Sequence, residues 1–307
     1  MKRLFRILLV AGIASASLLS GASFAADRLP VTASFSILGD LVRVVGGDRV
    51  RVTTLVGADE DAHVFEPKPA DAKAIVQSKL LVTNGLGFEP WAQKLAKSAG
   101  YKGETVVASK GVKPRAMPEE KGHEGKGHRH DETDPHAWQN PNNVVLYVRN
   151  IAAALAKVDP AGATTYQANA EAYVKELQTF DAWAREQFAS ISPSKRKVIT
   201  SHDAFGYFAA QYQIKFLATQ GVSTDAEPSA KEVAQLIRQI QREKIKAVFM
   251  ENMSNPKLLA QLSKDAGVAV GPALYVDALS AVDGPADSYL KLMRHNVTQL
   301  VAGMRGN

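Results

Sequence analysis

Apolar residues in this chain fall into short unbroken runs, separated by longer stretches in which apolar positions recur every three or four residues. The runs are VTASF (31–35), RVTTLV (51–56), KLLVTNG (79–85), KVITS (197–201), IKFLAT (214–219), KAVFM (246–250) and GVAV (267–270). Short β-branched runs separated by helices of ten or more residues imply parallel βαβ units, so the predicted fold class is α/β. Several helices carry their own boundary marks. Ser229 and Glu232 form a capping box ahead of Val233, Leu236, Ile237 and Ile240, which follow at helical spacing. Asn255 and Pro256 open the next helix, and Gly267 closes it.

Between the two groups of strands lies an all-helical span. Asn140 and Pro141 begin a helix with Val144, Val145, Val148, Ile151 and Leu155 on one face. Asp159 and Pro160 restart the chain, and from Ala163 to about Ser190 it meets no proline or glycine. Such a helix is roughly 40 Å long and reads as a rigid spacer, with an ordinary long core helix as the alternative. The expected organisation is an N-terminal α/β lobe over 26–158, a linker helix over 159–192 and a C-terminal α/β lobe over 193–307. A continuous helix between lobes resists hinge bending, so small lobe closure is expected.

Residues 1–25 fall outside this pattern. Lys2, Arg3 and Arg6 precede an apolar run from Ile7 to Leu19, and Ser23 and Ala25 suit cleavage after Ala25. This is the layout of a secretory signal peptide, and the run is shorter than the roughly 20 residues a bilayer span needs. An exported, periplasmic protein is expected. Losing those three charges lowers the formal charge from +6 to +3, too little over this length to suggest nucleic acid as a partner. The chain has no cysteine, which excludes disulfides, thiolate metal sites and cysteine nucleophiles together. It also leaves no lipid-accepting cysteine after the signal, so a free monomer is expected.

Candidate chemistry rests on histidine. His123, His128 and His130 lie in a low-complexity loop from Ser109 to Thr133, whose charges and glycines predict a mobile segment. HEGKGH within it fails as a zincin motif, because its histidines are five apart rather than four. His136 is set differently, in DPHAWQNP, between prolines and a tryptophan that order the backbone. His63 follows the strand RVTTLV, and His202 follows KVITS at once. Both positions are carboxyl ends of strands, the edge where open α/β sheets bind ligands. Asp277 ends the strand-like run GPALYVD. Three imidazoles and one carboxylate make a closed set for tetrahedral zinc, although spacing alone does not select this quartet.

From about Leu29 to the C-terminus, the stretches DAHVFEPKPAD, VTNGLGFEPW, DPHAWQNP, SHDAFGYFA, GVSTDAEPSAKEV and LYVDALS occur in order. Together they resemble the zinc/manganese solute-binding receptors of bacterial ABC importers, the cluster A-I family. The resemblance implies two α/β lobes joined by a long helix, with a metal between them on His63, His136, His202 and Asp277. A histidine at the third ligand position and a histidine-bearing loop before the second lean toward Zn²⁺, with Mn²⁺ or Fe²⁺ as alternatives. QNP after the tryptophan departs from the usual LDP. Glu66, Asp134, Asp203 and Glu251 are candidate partners for the ligands, named from their nearness to the motifs.

The implied function is capture of zinc and its delivery to an ABC importer permease, with His123, His128 and His130 as accessory zinc collectors. A periplasmic zinc chaperone is a further candidate partner. A zinc hydrolase is the rival class. Catalytic zinc keeps one position open, whereas four ligands are available here and neither HExxH nor GxSxG accompanies them. No enzymatic activity is therefore expected. A metal-linked surface adhesin would share the fold.

Overall fold

This computed structural model describes residues 28–116, 133–221, 224, 229–253 and 256–307. The signal segment 1–25 and His123, His128 and His130 lie outside the described residues.

A strand covered on both faces of a parallel sheet is mostly apolar and uncharged, and β1 (Leu29–Phe35) is buried from Val31 onward, including the small polar Thr32 and Ser34. Helix α1 (Ser36–Gly46) leads to β2 (Val50–Val56), which pairs in parallel with β1 and sets Val56 opposite Phe35. Next come α2 (Pro69–Gln77), β3 (Leu80–Thr83), α3 (Pro90–Ser98) and β4 (Glu104–Val107). They complete a parallel sheet of order β2-β1-β3-β4. Helices α4 (Pro141–Val158) and α5 (Ala163–Ala189) connect it to the second lobe.

That lobe contains β5 (Lys197–His202), α6 (Gly206–Tyr212), β6 (Lys215–Gln220), α7 (Ala230–Glu243), β7 (Val248–Glu251), α8 (Pro256–Ala266) and β8 (Val270–Leu274). The C-terminal α9 (Tyr289–Arg305) follows. Its sheet, β6-β5-β7-β8, is parallel and repeats the order of the first. In each sheet the direction of travel reverses between the first and third strands, and the crevice beyond their carboxyl ends faces the other lobe.

Two strands depart from the sequence reading. β4 carries no clear sequence mark because ETVV is short and only partly buried, as an edge strand can be. β8 begins where the run GVAV ends. Gly267, at φ 69°, terminates α8, so the first part of that run is spent on turning. Pro272 is tolerated in β8 because this strand lies at the sheet edge.

Asn140 caps α4 by accepting a hydrogen bond from the Asn142 amide at 2.9 Å, with Pro141 in the first turn. Helix α5 has 27 residues. It links the lobes, yet it also buries a stripe of Tyr166, Ala170, Tyr173, Val174, Leu177, Phe180, Ala184 and Phe188. The stripe packs against α1, α4 and α9, within one apolar cluster that runs through both lobes. The helix is thus both linker and core, which merges the two alternatives the sequence offered.

Behind the cleft the lobes are joined by buried hydrogen bonds. Trp138 Nε1 and Gln139 Nε2 both donate to the Val276 carbonyl, at 3.0 and 2.9 Å, and the Tyr289 hydroxyl donates to the Trp138 carbonyl at 2.7 Å. Gln139, the departure from the family pattern, thus takes part in this seam.

The loop bearing His136 rests on a buried polar network. Glu89 accepts from Ser34 Oγ at 2.9 Å and from the Asn84 amide, while Asn84 Nδ2 donates to the Pro135 carbonyl at 3.0 Å. Burial pushes the Glu89 carboxyl from its ordinary 4.5 up to about 7, against the lowering effect of its hydrogen bonds to Asn84 and Ser34. Folding therefore disfavours the ionised form. Its contribution to stability is full below pH 4.5, is lost as pH rises toward 7, and stays lost above that. Glu89→Gln keeps an acceptor but cannot ionise. Urea unfolding should show the variant gaining roughly 2 to 3 kcal/mol on the parent between pH 5 and 8. A pH-independent difference would refute the raised pKa.

Candidate metal centre

Each of the four sequence-predicted residues lies at or just beyond a strand end or in an ordered turn facing the cleft. His202 ends β5, Asp277 lies three residues past β8, His63 sits in the loop after β2, and His136 opens a turn of 3₁₀ helix before α4. The fold brings their side chains together, with one potential ligand atom from each within 4.8 Å of the others. His63 Nε2 lies 3.3 Å from His136 Nε2 and 3.3 Å from Asp277 Oδ2. His202 Nε2 is 3.1 Å from the same oxygen, and His136 Nε2 is 3.7 Å from Asp277 Oδ1. Both Asp277 oxygens and His202 Nε2 are buried without a well-formed hydrogen bond, so these atoms crowd together unsatisfied.

Two histidines are oriented by carboxylates. Asp134 Oδ1 accepts from the backbone amide of His136 at 3.0 Å and pairs with its Nδ1 at 2.9 Å. Glu251, at the end of β7, accepts from the amides of Ser201 and His202 at 3.0 and 3.1 Å, and its other oxygen pairs with His202 Nδ1. With the proton of each ring on Nδ1, the lone pair on Nε2 faces the cleft. The electrostatics follow from this crowding. Burial works against protonated His202, but Glu251 and Asp277 outweigh it and push its pKa well above the ordinary 6.5. Burial likewise works against ionised Asp277, but His136 and His202 hold its carboxyl far below the usual range.

The other two candidate partners are placed differently. Glu66 is exposed. The His63 side chain is 6% exposed and Phe65 is half-buried, while Val64 and Glu66 face solvent, so nearness in sequence does not bring Glu66 to His63. Asp203 is buried enough to raise its carboxyl pKa, and it lies within electrostatic reach of Asp134, His136 and His202. The histidine ring nitrogens nevertheless pair with Asp134 and Glu251.

His63 is held by an edge-on contact with Phe88, at 4.8 Å between ring centroids, and by Asp61. Asp61 Oδ1 accepts from the His63 amide at 2.8 Å, and its other oxygen accepts from Thr224 Oγ1 at 2.6 Å. Sequence reasoning missed Asp61. Its signal was the spacing Asp-x-His, shared by Asp61-Ala62-His63 and Asp134-Pro135-His136, in which the carboxylate caps the histidine amide two residues on.

Residues 31–303 match the family model described as zinc-uptake complex component A, periplasmic. Among curated relatives, the manganese-binding lipoprotein MntA of Halalkalibacterium halodurans is 31% identical over 93% of this chain and 91% of its own length. The iron-binding protein YfeA of Yersinia pestis is 31% identical over 95% of this chain and 93% of its own. The periplasmic metal-binding protein from Candidatus Liberibacter asiaticus superposes with a TM-score of 0.78 and 30% identity, covering 90% of this chain and 100% of that one. The periplasmic zinc-binding protein TroA of Treponema pallidum shares the fold at a TM-score of 0.81 and 24% identity, covering 90% of this chain and 99% of that one. From the six ordered motifs, the paired sheets and the family match across both lobes, this chain belongs to the metal-binding receptors of ABC importers, which are transport components and not enzymes.

Proposed function

We propose that this protein captures Zn²⁺ in the periplasm on His63, His136, His202 and Asp277 and delivers it to a membrane permease. The observation that carries the reading is the spacing of the ligand atoms. Zinc bonds of about 2.0–2.1 Å in a tetrahedron put neighbouring ligand atoms roughly 3.3 Å apart. Four of the separations here run from 3.1 to 3.7 Å, two of them to one Asp277 oxygen and one to the other, and one ligand atom from each residue lies within 4.8 Å of the rest. Three nitrogens and one oxygen also suit zinc better than a harder cation. With neutral imidazoles, the ion and Asp277 together carry one net positive charge, which the adjacent Asp134 and Glu251 offset.

A second reading, manganese or iron, is favoured by one feature. Asp277 turns both oxygens toward the histidines, which would permit bidentate, five-coordinate binding, and relatives at 31% identity are named for manganese and iron. Receipt of the metal from a periplasmic zinc chaperone, and export with cleavage after Ala25, belong to the same proposal.

Metal analysis of protein taken from its own cells, with competitive titration, tests the choice. Zinc should fill one site per chain, and His202→Ala should abolish tight uptake. Stoichiometric manganese or iron would replace zinc in the proposal, and full retention by His202→Ala would refute the ligand set.

Removing the carboxylate partner should weaken metal affinity by about 10- to 100-fold in Asp134→Asn and Glu251→Gln. Glu66→Gln should match the parent, and equal affinities for all three variants would discount the buttressing role.

Protons compete with metal for the imidazoles, and the raised pKa of His202 makes this competition begin above pH 6.5. Apparent affinity should fall at least tenfold between pH 7.5 and 5.5. A flat profile in isothermal titration would contradict imidazole ligation.

A further inference from the structure

Two sets among the hydrogen bonds between the lobes differ in what must be uncovered to break them. Behind the site, Trp138, Gln139 and Tyr289 make their bonds within the buried core. In front, the loop that carries His63 reaches the second lobe through polar groups at its rim. Asp59 supplies three of these links. Its amide donates to the Leu279 carbonyl at 2.9 Å, one carboxylate oxygen accepts from Asn252 Nδ2 at 2.8 Å, and the other accepts from the Ala281 amide at 3.3 Å. Asp59 holds a left-handed backbone, φ 55°, to do so. The partners are close to the site: Asn252 follows Glu251, while Leu279 and Ala281 lie two and four residues past Asp277.

We propose that Asp59 is a positioning residue that latches the His63 loop against the second lobe, and that its release opens the exit path of the metal. The proposal rests on the metal-capture reading above. Parting the rear seam would expose Trp138 and Tyr289, both buried in the core, whereas the two side-chain bonds of Asp59 at the front are exposed and exchange for bonds to water. Opening therefore starts at the front. It displaces His63, whose side chain is 6% exposed where those of the other three ligands are fully buried. The remaining three stay seated in the rear of the cleft.

The test uses the full chain loaded with zinc, mixed with excess chelator in a stopped-flow instrument. Asp59→Gly preserves the left-handed backbone and deletes only the carboxylate. Asn252→Ala deletes one of its donors. Each should release zinc roughly 5- to 30-fold faster, with the association rate and the melting temperature of the metal-free protein close to the parent's. The double variant should release no faster than Asp59→Gly, because the two residues share one bond. A second arm needs no metal: hydrogen exchange at the Ala281 amide should rise in Asp59→Gly. Parental release rates, or parental exchange at Ala281, would overturn the latch. A parent chain that takes up no metal would overturn the capture reading instead, and the exchange arm would then decide the latch by itself.

Discussion

A carboxylate enclosed by three imidazoles at the junction of two lobes is the constraint on which the rest of this structure depends. Asp277 is wholly buried, and a buried charge survives only where opposite charge or oriented dipoles surround it. Here those groups are His63, His136 and His202, two of them on the first lobe and one on the second. The carboxylate therefore cannot be satisfied by its own lobe. This ties the local chemistry to the global packing, since whatever sets the separation of the lobes also sets the separation of the ligand atoms.

The support behind each ligand is graded. His136 and His202 each have a carboxylate fixing the far side of the ring, and each is enclosed by core. His63 leans on Phe88 and stands on a loop whose links to the second lobe through Asp59 are polar and exposed. One cleft thus has a stiff wall and a yielding one. A binding protein that must both hold an ion and give it up has use for that asymmetry, because a site uniformly rigid would hold without releasing.

Much of this was legible in the sequence, but unevenly. The parallel sheets were visible because strands covered on both faces are rich in apolar and β-branched residues and carry no charge at their buried positions, as in VTASF and KVITS. β4 was hidden because an edge strand tolerates polar residues, and β8 was displaced by the left-handed Gly267. Gathering of the four candidate ligand residues was implied only by resemblance, since positions 73, 66 and 75 residues apart along the chain share no local pattern. Nearness in sequence and nearness in space agree for Asp134, where a tight turn folds the carboxylate onto its own histidine. They part for Glu66, which faces solvent while the His63 side chain turns inward. Asp59 and Asn252 could not be paired from sequence at all, being 193 residues apart with neither adjacent to a motif histidine.

The buried stripe of α5 has a consequence for how the chain is made. Its apolar face is shared among α1, α4 and α9, and α9 follows both sheets in the chain. Until α9 arrives, the first lobe presents an open hydrophobic surface rather than a finished domain. The two lobes look like separate units by their sheets, but they mature as one, and a nascent or truncated chain lacking α9 is a natural client for chaperones that bind exposed apolar helices.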